Sequence, residues 1–500
     1  MATAFQQEIC PPLPIVINPC IEYKKAEIEI TKISEILDKS GIEDELVKQE
    51  LARWEKEQGS SQNRSPKEQR NFEKAKARKA KQLHIAFRCN VAHSLLGNSY
   101  REFSIALAAW PLLQWFTRTS HVDGARPPAK SSLERYDKIW DVQELKTANR
   151  KLLQKVFTKS GAKELCGADE PFKSSEVYVD TTCVKANIHV PVDWVLLRDA
   201  IRTIITVILT LRKHGLLHRM ASPESFLKKC NKLCIAMAMS RHQKGGSMKR
   251  KHILRKLKLL AKTVGKHGER YLALLGKLVE SGELTQPQAD QFAKRLQNVI
   301  DKLPAAIHQA HERIIGERKV ANKDKMLSLY EDDVHVLVRH KDGAECEFGN
   351  KQVVVEQEDG LVLDWELFKD EQPADCKLIE PLIARISEHF GDISAVVTDR
   401  GFDSKSNSGL LEENNIFNGI CPKNIQELQQ RLGDPSFAGY QRRRAQTEGR
   451  IAIIKDFIGD VPRSKGFDHR NREVAWGIFT HNLWKLSHFA MENAKLRKAA

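Results

Sequence analysis

Several features are scarce in this 500-residue sequence, and each scarcity closes off a class of protein. There are only 10 cysteines, without the spacing of a small disulfide scaffold, which fits reduced thiols in a cytosol. The longest apolar run, Ile201 to Leu211, carries Arg202 and is too short to span a bilayer, so it reads as a buried helix. The opening MATAFQQEIC has no basic or apolar region of the secretory kind, so no secretion is expected. Internal repeats, low-complexity tracts, and Walker or dinucleotide fingerprints are also missing, which argues against a nucleotide-driven enzyme.

What is present is positive charge. Lys and Arg number 81 against 65 Asp and Glu, a formal net charge of +16. With 41% hydrophobic and 29% charged residues the composition is that of a globular chain of two to four domains, not a disordered or polytopic one. An excess of this sign favours a polyanionic partner, nucleic acid first.

Hydrophobic periodicity predicts an all-α N-terminal region over 1–83, with apolar residues at helical spacing (Ile33, Ile36, Leu37, Leu46, Leu51). It includes a Ser- and Gly-rich linker before a basic arm, FEKAKARKAKQLHIAF. A second helical region, 84–165, suits DNA binding or dimerisation. From 170 to 490 the pattern becomes α/β. A strand, EVYVDTT, comes first, and a long basic helical insertion follows over 197–327. Strands return at 334–340, 351–357 and 360–368, with turns at Asp342-Gly343 and Asp359-Gly360. A helix (376–390), a strand (394–399) and a helix (441–459) complete one mixed sheet flanked by helices.

Two acids, Asp180 and Asp399, stand at the ends of apolar strands, where α/β folds place their sites. A third, Glu448, lies on the 441–459 helix with Arg444 four residues before it and Lys455 seven after. At 3.6 residues per turn these three share a face, with Ile451 and Ile454 packing to one side. Carboxylates from separate elements are what a two-Mg²⁺ site needs, because hard cations take oxygen ligands. Among 65 acids, however, many such triples arise by chance.

The surrounding motifs go further. VYVDTT at Asp180, NIHVPVDWVLLRDA after it, VVTDRGF at Asp399 and FTHNLWKLSHFA near the C-terminus resemble segments of bacterial insertion-sequence DDE transposases. Tyr440, Arg444, Glu448 and Lys455 resemble that family's Tyr-Arg-Glu-Lys signature. The Arg-to-Glu and Glu-to-Lys spacings match, whereas Tyr440 and Arg444 are separated by three residues where the pattern has two. The resemblance covers roughly 100–490.

It implies a ribonuclease-H-like catalytic domain in which Asp180, Asp399 and Glu448 bind two Mg²⁺ ions, with Mn²⁺ as a substitute. The implied activity is that of a transposase, an endonuclease that cuts its element's ends and joins them to target DNA. Arg444, Lys455 and Tyr440 would hold DNA near the scissile phosphate. The family also implies double-stranded DNA as partner, a homodimer on paired ends, no membrane and a nucleoid-associated, cytoplasmic location. A nuclease of the same fold and a catalytically inactive DNA-binding regulator are the rival readings.

Other signals carry less. Trp194 would either stack on a flipped base or be buried in a core. His214 with His218, and Cys230 with Cys234, have helical spacing for zinc but lack a Cys-x-x-Cys loop. Asp193 and Asp364 read as turn or surface acids, or else as acids that support the metal ligands from behind. The excess charge itself is concentrated: Arg241 to Lys277 holds 12 Lys and Arg against one acid, Glu269. Arg250, Lys251, Arg255, Lys256 and Lys258 in that stretch are the expected DNA-backbone contacts.

Overall fold

The computed structural model describes residues 12–13, 15–59, 65–121, 123–341, 344–370, 372–459, 461–462 and 465–499. The opening MATAFQQEIC, linker residues 60–64 and the Asp342-Gly343 turn lie outside them. The chain begins with helices α1 (Ile21–Ser40), α2 (Ile42–Glu57), α3 (Pro66–Leu96), α4 (Tyr100–Ala109), α5 (Pro111–Phe116), α6 (Lys130–Tyr136), α7 (Val142–Val156) and α8 (Lys159–Cys166). Strand β1 (Glu176–Lys185) is followed by α9 (Asp193–Lys213), α10 (Pro223–Met239), α11 (Gly246–Leu274), α12 (Gly276–Glu280) and α13 (Gln286–Ala310). Then come β2 (His335–Lys341), β3 (Ala344–Gln357), β4 (Val362–Leu367), α14 (Ile379–Phe390), β5 (Ala395–Thr398), α15 (Lys405–Glu413), β6 (Phe417–Ile420), α16 (Ile425–Arg431), α17 (Pro435–Ile458) and α18 (Phe467–Ala499). No helix among the described residues is long and apolar enough to cross a membrane.

Two compact units result: Met1–Val184 with Lys351–Ser464 and Asp468–Ala500, and Lys185–Asn350 with Lys465–Phe467. The helices of 1–83 and 84–165 therefore fall in the same unit as most of the sheet. The second unit is longer than the 197–327 insertion read from periodicity, because α9 begins at Asp193 and β2 with the first half of β3 is included.

The first unit is built on a mixed sheet with strand order β4-β3-β1-β5-β6. β3 and β4 are antiparallel, whereas β1, β5 and β6 run parallel, the directions of a ribonuclease-H-like sheet. Every residue of β5, Ala395 to Thr398, is buried, which explains its unbroken apolar sequence: a central parallel strand is covered on both faces. β6 was absent from the sequence reading. Its residues, Phe-Asn-Gly-Ile, have little strand character of their own, and it exists because it pairs along β5 from Ala395↔Phe417 to Thr398↔Ile420.

The outer edge at β4 is capped by helices. Asn482 of α18 accepts from Val362 N at 2.8 Å and donates to Val362 O at 2.9 Å. Asn149 of α7 donates to the same carbonyl at 3.1 Å, and the two amides bond each other at 2.7 Å. Both are fully buried, so they satisfy backbone groups that an edge strand would otherwise leave unpaired. The N-terminal and C-terminal helices share one aromatic core: Phe87 of α3 meets Trp140, Trp476 and Phe479 edge-on at 5.4 to 5.9 Å. Nearby, Arg88 of α3 bonds Glu43 at 2.8 Å and Asp38 at 2.6 Å, all within the helical layer. Burial raises the Glu43 pKa, but Arg88, His84 and Arg118 outweigh it and hold it near 2.

The core of the second unit is helical. Leu197, Ile201, Ile204 and Ile208 of α9 pack with Leu254, Leu257, Ala261 and Val264 of α11 and Leu296, Val299 and Leu303 of α13. The helices approach closely at Gly265, where a Cβ would lie 2.9 Å from the Leu303 side chain. Two expectations are corrected here and in the sheet. Asp193 is no turn acid: it is buried and accepts from Gln309 (2.9 Å) and Arg313 (2.8 Å). Asp364 on β4 is likewise buried, against Arg385 at 2.8 Å. In both cases a cation on a neighbouring element compensates a carboxylate that the sequence leaves looking solitary.

Candidate active site at the strand ends

The parallel register of β1 and β5 ends at Val179↔Thr398. The next residues on each strand are Asp180 and Asp399, and adjacent strands lie about 4.8 Å apart. The two acids, 219 positions apart in sequence, are thus side by side at the sheet's rim. Local backbone holds each one. Asp180 accepts from the Thr181 N–H at 2.7 Å. Asp399 leads a short helical turn, Arg400–Phe402, and accepts from Gly401 N–H at 2.9 Å. Gly401 leaves room for two carboxylates: a Cβ there would lie 2.8 Å from an oxygen of Asp375 and 3.0 Å from one of Asp399, and would push one of them aside. Asp375, which the sequence reading passed over, is therefore a near neighbour of Asp399, and its charge is paired with Lys351 at 2.5 Å.

Helix α17 crosses this rim. It starts six residues earlier than periodicity predicted, because Asp434 caps it through Ser436 N–H at 2.9 Å and Pro435 occupies its first turn. One stripe of α17 is structural. Arg443 donates to Glu356 at 3.0 Å and lies 4.2 Å over the Tyr178 ring, Thr447 donates to Glu356 at 2.8 Å, and Arg450 approaches it at 3.5 Å. Glu356 itself is buried on β3, so three donors of one helix close on a single carboxylate.

The neighbouring stripe faces the acids. Gln441 donates to Gly419 O (2.7 Å) and Thr398 O (3.4 Å), tying the helix to the ends of β5 and β6, and accepts from Arg444 at 3.0 Å. Arg444 and Glu448 both act electrostatically on Asp180. Burial and the Asp399 charge push the Asp180 carboxyl up to about 6, Glu448 adds to the rise, and Arg444 opposes it. Of the adjacent arginines, Arg444 is therefore the one near the acids, and Arg443 is consumed in packing.

Glu448 is exposed and Lys455 is half-buried on the same helix. Tyr440 is further from the acids along β1: its hydroxyl donates to Glu176 at 3.1 Å and its ring packs on Phe417. Trp194, in the second unit, packs partly buried against the helical core. On α11, Arg255 and Lys256 are exposed. Arg250 is half-buried, Lys251 pairs with Glu317 at 2.8 Å, and Lys258 bonds His311 at 2.9 Å. Cys230 and Cys234 stand 4.0 Å apart and buried.

Among the described residues no three His, Cys, Asp or Glu side chains converge closely enough to hold one metal ion. The donor set still suits a hard divalent cation. Asp180 and Asp399 offer carboxylates from the ends of neighbouring strands, and burial together with the Asp399 charge raises the Asp180 pKa. Glu448 acts on Asp180 through its charge.

Residues 332–483 match the Transposase DDE domain family. The matched DDE segment contains Asp399, Glu448, Arg444, Lys455 and Tyr440, and it stops short of Asp180, which the sheet brings back beside it. What the match supports is a transposase in general terms, a DNA-processing enzyme. Comparisons with curated proteins and with solved structures find no match.

Proposed function

We propose that this chain is a transposase of the insertion-sequence DDE type, which binds its element's ends, cuts them and joins them to target DNA. The observation that carries the reading is the pairing of Asp180 with Asp399 across parallel strands, beneath a helix bearing Arg444, Glu448 and Lys455. Asp180, Asp399 and Glu448 would hold two Mg²⁺ ions, or Mn²⁺ in their place. Such ions, when bound, activate the attacking oxygen and stabilise the leaving one. Glu448 would complete the set by a side-chain swing, being exposed on the rim-facing stripe. Arg444 and Lys455 would hold the phosphate backbone by charge-assisted hydrogen bonds and offset the charge that develops at phosphorus. Gln441 would fix the aim of Arg444, and Tyr440 would brace α17 against Glu176.

Outside the catalytic rim, Arg250, Lys251, Arg255, Lys256 and Lys258 would bind duplex backbone, and Trp194 would support that surface. The working form would be a homodimer on paired ends, in the cytoplasm at the nucleoid. The test uses duplex DNA carrying the sequences that flank the coding region. Wild-type protein with Mg²⁺ is expected to release 3′ hydroxyl ends and join them to a target. Asp180→Asn, Asp399→Asn and Glu448→Gln are each expected to abolish both steps and leave binding intact. Cutting without joining would identify a nuclease, and binding alone a regulator. Retained cutting by any one variant would remove that acid from the site.

A further inference from the structure

The second unit contains a pocket of about 310 Å³ that the catalytic reading does not use. Its wall is formed by α9, α13, the 327–331 segment and Lys465. The floor is apolar, with Val195, Leu196, Leu327 and Leu329. Above it stands Tyr330, a residue 42% exposed whose hydroxyl is tied to Thr203. The ring is therefore held by its far end at the pocket wall.

The rim is basic: Arg198, Arg202, Arg295 and Lys465 line it. Two acids also reach the pocket, but both are engaged. Asp199 is bonded by Arg198 at 3.0 Å, and the Glu331 carboxylate accepts from Gly466 N–H at 2.9 Å. Arg202, Arg295 and Lys465 have no carboxylate partner among the described residues, and Lys465 stands 5.5 Å over the Tyr330 ring. An apolar floor, a fixed aromatic ring and four cations against two acids form a site for a flat ring joined to an anion.

We propose that this pocket binds a nucleoside phosphate. The base lies on Tyr330, and the phosphate takes Arg202 and Arg295. This chemistry has two sources: a free nucleotide, or an unpaired nucleotide within a DNA strand. The site is separate from the carboxylates, so its occupancy does not depend on the transposase reading.

The experiment titrates the full chain, in EDTA to prevent any cleavage, with a fluorescent deoxynucleoside triphosphate and with a labelled oligothymidylate. Wild type is expected to bind at least one probe. An Arg202→Ala/Arg295→Ala double variant is expected to weaken it about tenfold or more, since hydrogen bonds to charged groups are the strong ones. Tyr330→Leu is expected to cost about fivefold or more, the scale of one base stacked on an aromatic ring. Tyr330→Phe keeps the ring and is expected to retain more affinity than Tyr330→Leu, while Lys232→Ala, at an exposed position of α10 outside the pocket, serves as a control with unchanged triphosphate affinity. Binding of the triphosphate assigns the free nucleotide, and binding of the oligomer alone assigns the strand. All altered side chains are exposed, and thermal unfolding checks that each variant is folded. Absence of binding by both probes, or wild-type affinity in the double variant and Tyr330→Leu, overturns the proposal.

Discussion

Replacing Asp180 by Asn should make the metal-free protein more stable at neutral pH, although it removes a central group of the proposed site. The Asp180 carboxyl has an ordinary value of 3.8 and is pushed up to about 6 by burial and by Asp399. A raised acid binds its proton more tightly in the folded chain than in the unfolded one. Stability is therefore lost as pH rises through the window between about 4 and about 6, and the loss is complete at pH 7. Two pKa units amount to about 3 kcal/mol. Asn keeps the acceptor for the Thr181 N–H but carries no charge to repel Asp399.

Denaturant unfolding in EDTA should show Asp180→Asn ahead by up to about 3 kcal/mol at pH 7, with the gap closing as pH falls toward 4. Added Mg²⁺ should reverse the order, because a ligand that binds only the native state stabilises the chain that retains its carboxylate. A variant less stable than wild type at pH 7, or a gap of the same size at pH 5 and pH 8, would refute the electrostatic account of this pair.

Three further outcomes follow from the packing. Asn482→Ala should cost about 2–4 kcal/mol in unfolding, because it strands both backbone groups of Val362 and the Asn149 amide in a buried place. Glu356→Ala should cost about 3–5 kcal/mol, since Arg443 and Arg450 lose their shared carboxylate, and circular dichroism melts would register it. Arg255→Ala with Lys256→Ala should lower the slope of log affinity against log salt for duplex DNA by about one unit per lost phosphate contact, and an unchanged slope would take α11 off the DNA.

Much of the architecture is legible in the residues themselves. The apolar runs ending in Asp180 and Asp399, the helical spacing of Arg444, Glu448 and Lys455, and the basic stretch within Arg241 to Lys277 are all local patterns. Periodicity and charge report such patterns directly, because they depend on near neighbours in the chain. The same locality explains what was missed. β6 lacks strand propensity and forms only against β5. The buried acids Asp193, Glu356 and Asp364 look like surface acids until Arg313, Arg443 and Arg385 close on them from other elements. Asn149 and Asn482 show no sign of capping β4, since the groups they satisfy belong to a strand 120 or more positions away from either side chain.

The candidate site divides along the same line. Three acids and two cations could be named from the sequence, but not their distances or their protonation. The parallel register of β1 and β5 decided that Asp180 and Asp399 are neighbours, and burial with the Asp399 charge raised the Asp180 pKa. The docking of α17 through Glu356 and Gln441 decided which arginine meets the acids. Residue type determines which charges a chain can offer. Only the fold, by setting separation and solvent exposure, determines which of those charges interact.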